Sequence, residues 1–375
     1  MKKWFILIGV IAILFVGGYF VLSFYAVKFI QSRLQQMVGP GFILSEIKVH
    51  PTYLSAKGIR YEDPLSRRRI FLIEEMRVYP ALFSLFNGTL DIREWVILRP
   101  SFFFYRSQEG TFIGPWVQPE AKEKHPESSD GRKRDQEKSI FITIDRFHIR
   151  EGSIDFEDFK MGEPPGQILV RELDLELKNI HYPLIPFHSP IELKGKIRGK
   201  KRDGNIYVKG WVDLKKMDVD ALFNVQEIDI KIFEPYYRKR VSAEIEEGQT
   251  NMEAKINIQG GMIDAPGRLE LYNFHIREGG TILWIPAKTL ISLLKNKGNR
   301  IQIQFHVKGN MDDPQFNLRE TFLTRVVVSL AEALGIPIRV VGETMIGGSG
   351  KGMEGFIEGL RSIEKLFKRK KDEKR

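Results

Sequence analysis

Histidines and cysteines, which often carry catalysis or bind metals, form no reactive cluster in this sequence. The seven histidines are dispersed, and His148, His275 and His306 each lie in an alternating, strand-like stretch. His148 and His275 occupy the same place in a repeated hexapeptide, which favours a repeated structural position over a metal site. Cysteine is absent, so disulfides, thiolate chemistry, iron–sulfur clusters and cysteine-ligated zinc are excluded.

Glycine-rich and acidic motifs also lack the spacing that catalysis needs. The stretch GGSGKG at 347–352 resembles a phosphate-binding loop, but no Ser or Thr follows its lysine and no apolar strand leads into it, which indicates a hinge. It also lacks the G-x-S-x-G spacing of a serine hydrolase. Adjacent acids such as Glu157 and Asp158 point to opposite faces of a strand. We therefore expect a protein that is not an enzyme, with no catalytic residue, cofactor or metal site.

Residues 4–27 form an uncharged apolar run, WFILIGVIAILFVGGYFVLSFYAV. A helix of this length would measure about 36 Å, enough to cross a hydrocarbon core of about 30 Å with some tilt. The run is long for a signal peptide and lacks a convincing cleavage site, which favours an uncleaved anchor. Lys2 and Lys3 before it, against Lys28 and the more distant Arg33 after it, favour a cytoplasmic amino terminus. The sequence predicts a single-pass membrane protein.

From residue 42 to about 317 the dominant hydrophobic period is two, as in strands with one apolar and one solvated face. The stretches 191–198, 206–214 and 301–308 are the clearest examples. Glycine and Asx turn signals separate the strands, and no long amphipathic helix lies between them. The sequence predicts a mainly β fold, a long antiparallel β-meander with one apolar face.

The apolar members of these strands are the candidate ligand contacts. A sheet face that no helix covers must fold on itself or be filled by something apolar, and acyl chains would suit it. The predicted lipid-contacting residues are Ile191, Leu193, Ile197, Ile206, Val208, Val212, Leu214, Ile301, Ile303, Phe305 and Val307.

The chain repeats part of its own sequence. The hexapeptide FHIREG occurs at 147–152 and again at 274–279, and a looser copy at 92–102 aligns with 144–154. The irregular spacing argues against a solenoid. The repeats suggest that one hairpin-like unit is reused along an extended sheet.

Composition divides the chain into six segments. One of them is mostly charged and has no large apolar side chain, which predicts a flexible, solvated linker. The segments are a transmembrane anchor at 1–33, an N-terminal β segment at 34–118, the charged linker at 119–139, a central β domain at 140–318, an amphipathic helix with a short extension at 319–343, and a Gly-rich hinge with a basic tail at 344–375.

The formal net charge of +10 indicates an anionic partner, either a membrane surface or nucleic acid. In the tail, apolar residues at helical spacing lie beside clustered cations, as in a membrane-surface helix. The aromatic or Gly/Arg interleaving typical of nucleic-acid binding is missing, so we expect no nucleic-acid partner. A solvated chain end is the alternative for the tail. The candidate membrane-contacting cations are Lys365, Lys368, Arg369, Lys370 and Lys371.

Four stretches, in this order, resemble the AsmA-like family of bacterial envelope proteins. Residues 49–60 resemble the first strands of the family, and 79–114 resemble its short helix, turn, strand, proline and Gly-x-x signature. Residues 144–156 are similar to its central strand motif, and 305–316 to the usual end of that domain. Each motif is degenerate, and their order is the specific part. The short chain, the charged linker and the basic tail depart from the family pattern.

The resemblance implies an inner-membrane anchor, a periplasmic β-meander curled into an open, taco-like groove, and a role in outer-membrane biogenesis. It also implies phospholipids, the inner membrane, and other envelope proteins or further copies of this chain as partners. We therefore expect a protein that binds and conducts phospholipid along an apolar groove, with short helices at its C-terminus. The alternative is a β-sandwich scaffold for envelope assembly that transports nothing and packs its inward residues on each other.

Overall fold

The computed structural model describes residues 41–64, 66–81, 84, 90–115, 141–238, 242–277, 279–282, 285–287, 300–311 and 313. Strands account for 71% of these residues, and each helical element among them has four residues or fewer, which confirms a mainly β chain. The chain divides into two compact units, residues 1–216 with 231–239, and residues 217–230 with 240–375. The predicted anchor, charged linker, C-terminal helices and basic tail lie outside the described residues.

The first unit contains an antiparallel-rich sheet. Its strands are β1 (Phe42–Val49), β2 (Leu54–Glu62), β3 (Arg69–Pro80), β4 (Leu90–Arg106), β5 (Phe112–Ile113), β6 (Ile142–Asp158), β7 (Gly166–Tyr182), β8 (Ser189–Ile197) and β9 (Gly204–Asp213). Their spatial order follows the chain, except that the short β5 pairs only with β4, so that β4 and β6 are neighbours. Since β1 and β9 are not paired with each other, the described part of this sheet is open.

The strands β4 and β6 correct the prediction of a purely antiparallel meander. They run parallel, from Leu90 beside Ile142 to Arg106 beside Asp158. Parallel neighbours need a connection that returns the chain to the starting end of the sheet. A strand of 17 residues spans about 56 Å, so this connection must be long. The connection between β4 and β6 includes the predicted charged linker. Hydrophobic periodicity within the strands does not show whether the strand after such a connection is parallel or antiparallel to the strand before it.

The sequence repeat corresponds to the register of this parallel pair. The looser copy lies in β4 and the first FHIREG copy in β6, and equivalent residues are direct partners, for example Ile97 with Ile149. The hydroxyls of Ser101 and Ser153, also equivalent in the repeat, form a hydrogen bond of 3.0 Å. The second FHIREG copy falls at the end of a strand of the other unit. Two copies of the repeat are therefore paired side by side in β4 and β6, whereas the third copy lies where β12 ends.

Three neighbouring strands of the first unit are irregular at the same level. Arg99 in β4, Glu151 in β6 and Glu172 in β7 have left-handed φ angles of 46°, 53° and 50°, and the pairing register of β6 and β7 shifts there. A bulge inserts one extra residue and so reverses which alternate residues face the core. In β4, Ile97 and Phe102 lie on either side of Arg99 and belong to the same apolar cluster, although one is at an odd and the other at an even position.

That cluster forms part of the core of the first unit. Its buried members are Phe42, Ala56, Ile59, Ile73, Ile97, Phe102 and Ile149, and half-buried side chains including Trp95, Phe147 and Leu175 pack against them. Pairing of β4 with β6 joins the predicted N-terminal segment at 34–118 to the predicted central domain within this unit. The boundary between the two compact units falls instead after Lys216, inside the predicted central domain.

A buried ion pair joins β4 and β6 where both strands end. Asp158 is 1% exposed, its Oδ2 lies 3.4 Å from Nη1 of Arg106, and its Oδ1 accepts the backbone N–H of Lys160 at 3.1 Å. We expect Asp158→Ala to lower the free energy of unfolding by about 3–5 kcal/mol, because the Arg106 charge would lose its buried partner. Chemical denaturation would measure this loss. The neighbouring Glu157→Ala is the control, and equal losses in both variants would contradict the prediction.

The second unit contains four paired long strands and a short ribbon. The sheet order is β10-β11-β12-β15, with all pairs antiparallel. Its core cluster includes Ala254, Ile263, Ala265, Phe305 and Val307. The strands of this unit are β10 (Asp218–Asp229), β11 (Ile245–Gln259), β12 (Met262–Ile276), β15 (Arg300–Asn310), and the ribbon pair β13 (Thr281–Ile282) and β14 (Ile285–Pro286).

Candidate functional site

Three rows of register partners, almost entirely apolar, cross the first unit from β1 to β9. With strands about 4.8 Å apart, each row is about 34 Å long. The middle row is Ile47, Ala56, Met76, Ile97, Ile149, Leu175, Leu193 and Val208; the second is Val49, Leu54, Val78, Trp95, Phe147, Leu177, Ile191 and Gly210; the third is Phe42, Tyr61, Phe71, Phe102, Ile154, Val170, Ile197 and Gly204.

Solvent exposure of this apolar face changes along the middle row. Ile97 and Ile149, in the central strands, are 8% and 6% exposed, because they belong to the core cluster. Leu175, Leu193 and Val208, in β7, β8 and β9, are only half-buried. Ile47 and Met76, in β1 and β3, are half-buried as well, so this apolar face is accessible toward both ends of the row, and the predicted contacts fall on the accessible part formed by β7, β8 and β9.

Most of the predicted contacts in β8 and β9 lie together on this accessible part. Leu193 is the direct cross-strand partner of Val208. The other predicted residues lie at alternate positions of the same two strands, so their side chains share this face. Gly204 and Gly210 of β9 carry no side chain, so the β8 residues opposite them have no cross-strand side-chain neighbour in β9. The half-buried predicted residues that share this face are Ile191, Leu193, Ile197, Ile206, Val208 and Val212.

Leu214 is the exception, because it lies in the turn that follows β9. The strand ends at Asp213, which is 2% exposed. Its Oδ1 accepts the backbone N–H groups of Lys215 and Lys216 at 2.9 and 3.0 Å. These hydrogen bonds favour the turn, and they also lower the pKa of the Asp213 carboxyl. The alternating pattern therefore extended the predicted strand one residue too far.

The predicted contacts in β15 of the second unit are buried. Ile303, Phe305 and Val307 are 1%, 7% and 3% exposed. The packing is tight, since a Cβ added at Gly267 would lie 2.7 Å from the carbonyl oxygen of Glu253 and would collide with the Phe305 ring. Ile301 lies in the same strand, but its side chain is outside the described part. In this structure, the exposed candidate surface is on β8 and β9.

The opposite face of the first unit carries charged side chains beside buried apolar ones such as Val96. His148 in β6 lies between two carboxylates, 2.9 Å from Oε1 of Glu94 in β4 and 3.0 Å from Oε1 of Glu176 in β7. Its hydrogen bond, followed by that of Lys178, lowers the pKa of Glu176. The equivalent His275 lies beside its own backbone instead, with Nδ1 3.2 Å from the Asn273 carbonyl oxygen. Among the described residues, no group of histidines and acids could hold a metal ion.

Glu75 and Arg77, on the polar face of β3, make stability depend on pH. Glu75 is 9% exposed and accepts two hydrogen bonds of 2.9 Å from Arg77, which lower its pKa from the usual 4.5. A carboxyl with a lowered folded-state pKa stabilises the fold above its ordinary pKa, and this stabilisation is lost as the pH falls. We expect the unfolding temperature to drop on acidification, and Glu75→Gln to be less stable at neutral pH with a smaller drop. An unchanged pH profile in the variant would contradict this assignment.

The sequence did not identify the apolar rows contributed by β1 to β7. Residues such as Ile97, Ile149 and Leu175 extend the face that begins at Leu193 and Val208. One signal was available, because the repeat alignment pairs Ile97 with Ile149 as the sheet does. The other residues of the rows were missed because a bulge shifts the apolar residues from odd to even positions within one strand, which interrupts the alternating pattern.

The predicted anchor and the predicted membrane-contacting tail cations, Lys365, Lys368, Arg369, Lys370 and Lys371, lie outside the described residues. Within the part that the structure describes, no helix is long and apolar enough to span a membrane. Comparison with protein-family models, curated proteins and solved structures returns no match to this chain.

Proposed function

We propose that this chain is an inner-membrane-anchored periplasmic protein that binds phospholipid acyl chains on the apolar face of β8 and β9 and conducts them along the sheet, contributing to outer-membrane biogenesis. The observation that carries the proposal is the set of apolar rows that end in half-buried residues. The side chains of the rows are apolar, as an acyl chain is, and the half-buried residues of β8 and β9 are accessible to such a ligand. The sequence resemblance to the AsmA-like family and the apolar run at 4–27 support the same function.

The dimensions of the apolar face agree with an acyl ligand. One leaflet contributes about 15 Å to a hydrocarbon core of about 30 Å, while each apolar row extends about 34 Å across the strands. An acyl chain could therefore lie within the face with its headgroup in water. The helical elements among the described residues have at most four residues, too few to cover such a face.

Site-specific photo-crosslinking tests the proposal. A photoreactive amino acid is placed at Leu193 in the full-length protein, in cells whose phospholipids carry radioactive phosphate. We expect labelled lipid to be captured at Leu193, because its side chain lies on the half-buried apolar face. The matched control is Lys194, the next residue of β8, which points to the opposite, solvated face. The pair Val208 and Lys209 in β9 repeats the comparison.

Each outcome decides between the two functions. Capture at Leu193 and Val208 but not at Lys194 and Lys209 supports lipid conduction. Capture at none of the four positions in folded protein overturns it and favours the scaffold. Equal capture at both members of a pair also overturns it, because the contact would then be nonspecific.

The non-transporting β-sandwich scaffold is the second candidate. The specific observation in its favour is the burial of Ile303, Phe305 and Val307 to between 1% and 7% exposure. Inward residues that pack on other protein atoms leave no space for a lipid tail at that position. The scaffold requires that the apolar residues of β8 and β9 be packed on each other or on other inward residues in the same way.

A further inference from the structure

One end of the first unit combines the entry of the chain with a concentration of positive charge. The described chain begins at Gly41, whose carbonyl oxygen accepts the backbone N–H of Glu62 at 3.1 Å. By strand direction, the end of β2, the start of β3, the end of β8 and the start of β9 lie at this same end of the sheet. Residues 1–40 therefore join the sheet at the end that carries the β8–β9 turn.

The β8–β9 turn, residues 198–203, is the most basic feature of this end. It reads RGKKRD, and Asp203 is its single acid. Arg198 pairs with Asp203 at 3.3 Å while 63% of its side chain remains exposed. Lys200 lies 3.3 Å from Glu234 and stays 57% exposed. Exposed pairs of this kind hold their partners weakly in water, so the cations remain accessible to another anion.

A second basic turn lies at the same end, between β2 and β3. Arg67 and Arg69 are exposed, and the Arg68 guanidinium lies over the rings of Tyr105 and Phe159 at 4.7 and 4.5 Å. Acidic residues such as Glu163 are also present at this end, in the turn after β6. The excess of cations is therefore local, and it is greatest at the β8–β9 turn.

The opposite end of the unit has a different chemistry. The loop between β7 and β8, residues 183–188, reads PLIPFH and contains no acid, lysine or arginine. Leu184 and Ile185 in this loop are 43% and 46% exposed. An anionic surface would therefore be attracted to the β8–β9 turn rather than to this loop.

We propose that the β8–β9 turn binds the anionic phospholipid surface of the bilayer that holds the amino-terminal segment. This inference rests on the proposed function, since it takes the apolar run at 4–27 to be a membrane anchor. Residues 28–40 would then tether the sheet within roughly 45 Å of the bilayer. Tethering raises the effective concentration of the turn at the headgroups, and clustered lysines and arginines bind anionic leaflets. The contact would bring the ends of β8 and β9, at Ile197 and Gly204, to the lipid source.

Proximity to the headgroups can be measured in the full-length protein. The chain has no cysteine, so Lys201→Cys gives a single site for a fluorophore. The protein is reconstituted into nanodiscs of phosphatidylcholine, with or without phosphatidylglycerol, that contain a headgroup-spin-labelled quencher lipid. Leu184→Cys, in the loop at the opposite end, is the matched control. A further variant combines Lys201→Cys with Lys200→Glu and Arg202→Glu.

We expect quenching at position 201 to be several-fold stronger than at 184 when phosphatidylglycerol is present. It should weaken several-fold in phosphatidylcholine alone, after charge reversal, and at high salt, where screening shortens the range of the attraction to about 3 Å. Equal quenching with and without phosphatidylglycerol would overturn the proposal and leave only the tether. Stronger quenching at 184 would overturn it in favour of the apolar loop.

The two proposals fail in distinguishable ways. If the protein inserts into nanodiscs and Leu193 captures lipid, but position 201 is not quenched, only the docking surface is wrong. If the protein does not insert, the anchor fails, and the docking surface fails with it. Circular dichroism of each variant establishes that the fold is retained.

Discussion

Replacing Ile303 with aspartate is expected to unfold the second unit. The side chain is 1% exposed and its cross-strand partner Leu269 is apolar, so the new carboxylate would be buried without a partner. Such a group costs several kcal/mol, a large fraction of the stability of an ordinary domain. Thermal unfolding and limited proteolysis would measure the loss in the purified full-length protein.

Gln304→Asp is the control for this experiment, because Gln304 is the next residue of β15 and is exposed on the opposite face. Its stability should change by no more than about 0.5 kcal/mol. If Ile303→Asp were as stable as Gln304→Asp, water or lipid would have to reach the Ile303 side chain. The buried core of the second unit would then be incorrect.

Leu193→Asp is expected to have the opposite phenotype, with the fold retained and lipid capture lost. Leu193 is half-buried on the accessible part of the apolar face, so its carboxylate can stay in contact with water. Burial of a leucine side chain contributes roughly 2 kcal/mol, and loss of this contact should weaken acyl-chain binding by about tenfold or more. Photo-capture of phospholipid at Val208, its cross-strand partner, would measure the effect.

Lys194→Asp reverses a charge on the other face of the same strand and should leave capture at Val208 unchanged. Circular dichroism would establish that both variants keep their strands. If Leu193→Asp unfolds the protein as completely as Ile303→Asp, the β8–β9 face is a closed core, and the scaffold becomes the better function. If Leu193→Asp folds and still captures lipid at Val208, the ligand does not occupy this face.

The strand content of this chain could be predicted because its signal is local. Alternation of apolar and polar residues in 191–198 and 206–214 reports directly which side chains share a face, and the register of Leu193 with Val208 agrees with it. The absence of catalytic spacing and of cysteine is likewise read from the sequence. The phospholipid ligand stays a prediction. It depends on the resemblance and on an apolar face that is open to a ligand, and alternation alone does not show whether a face is open.

Other features depend on residues distant in sequence. The parallel pairing of β4 and β6 is set by the path of a long connection, which leaves no periodic trace within the strands. The bulges at Glu151 and Glu172 reverse the alternation within a strand, so a simple count assigns the residues beyond them to the wrong face. The ion pair of Arg106 with Asp158 requires the two strand ends to meet, which follows from that parallel register.

The sequence by itself determined that this is a mainly β chain with alternating apolar and polar faces, because that periodicity is a property of neighbouring residues. It did not distinguish Leu193 from Ile303, which belong to equivalent patterns. Only the tertiary structure decided that Ile303 is buried and Leu193 is half-buried. Burial depends on what packs above a strand, and those atoms come from residues far away in the chain.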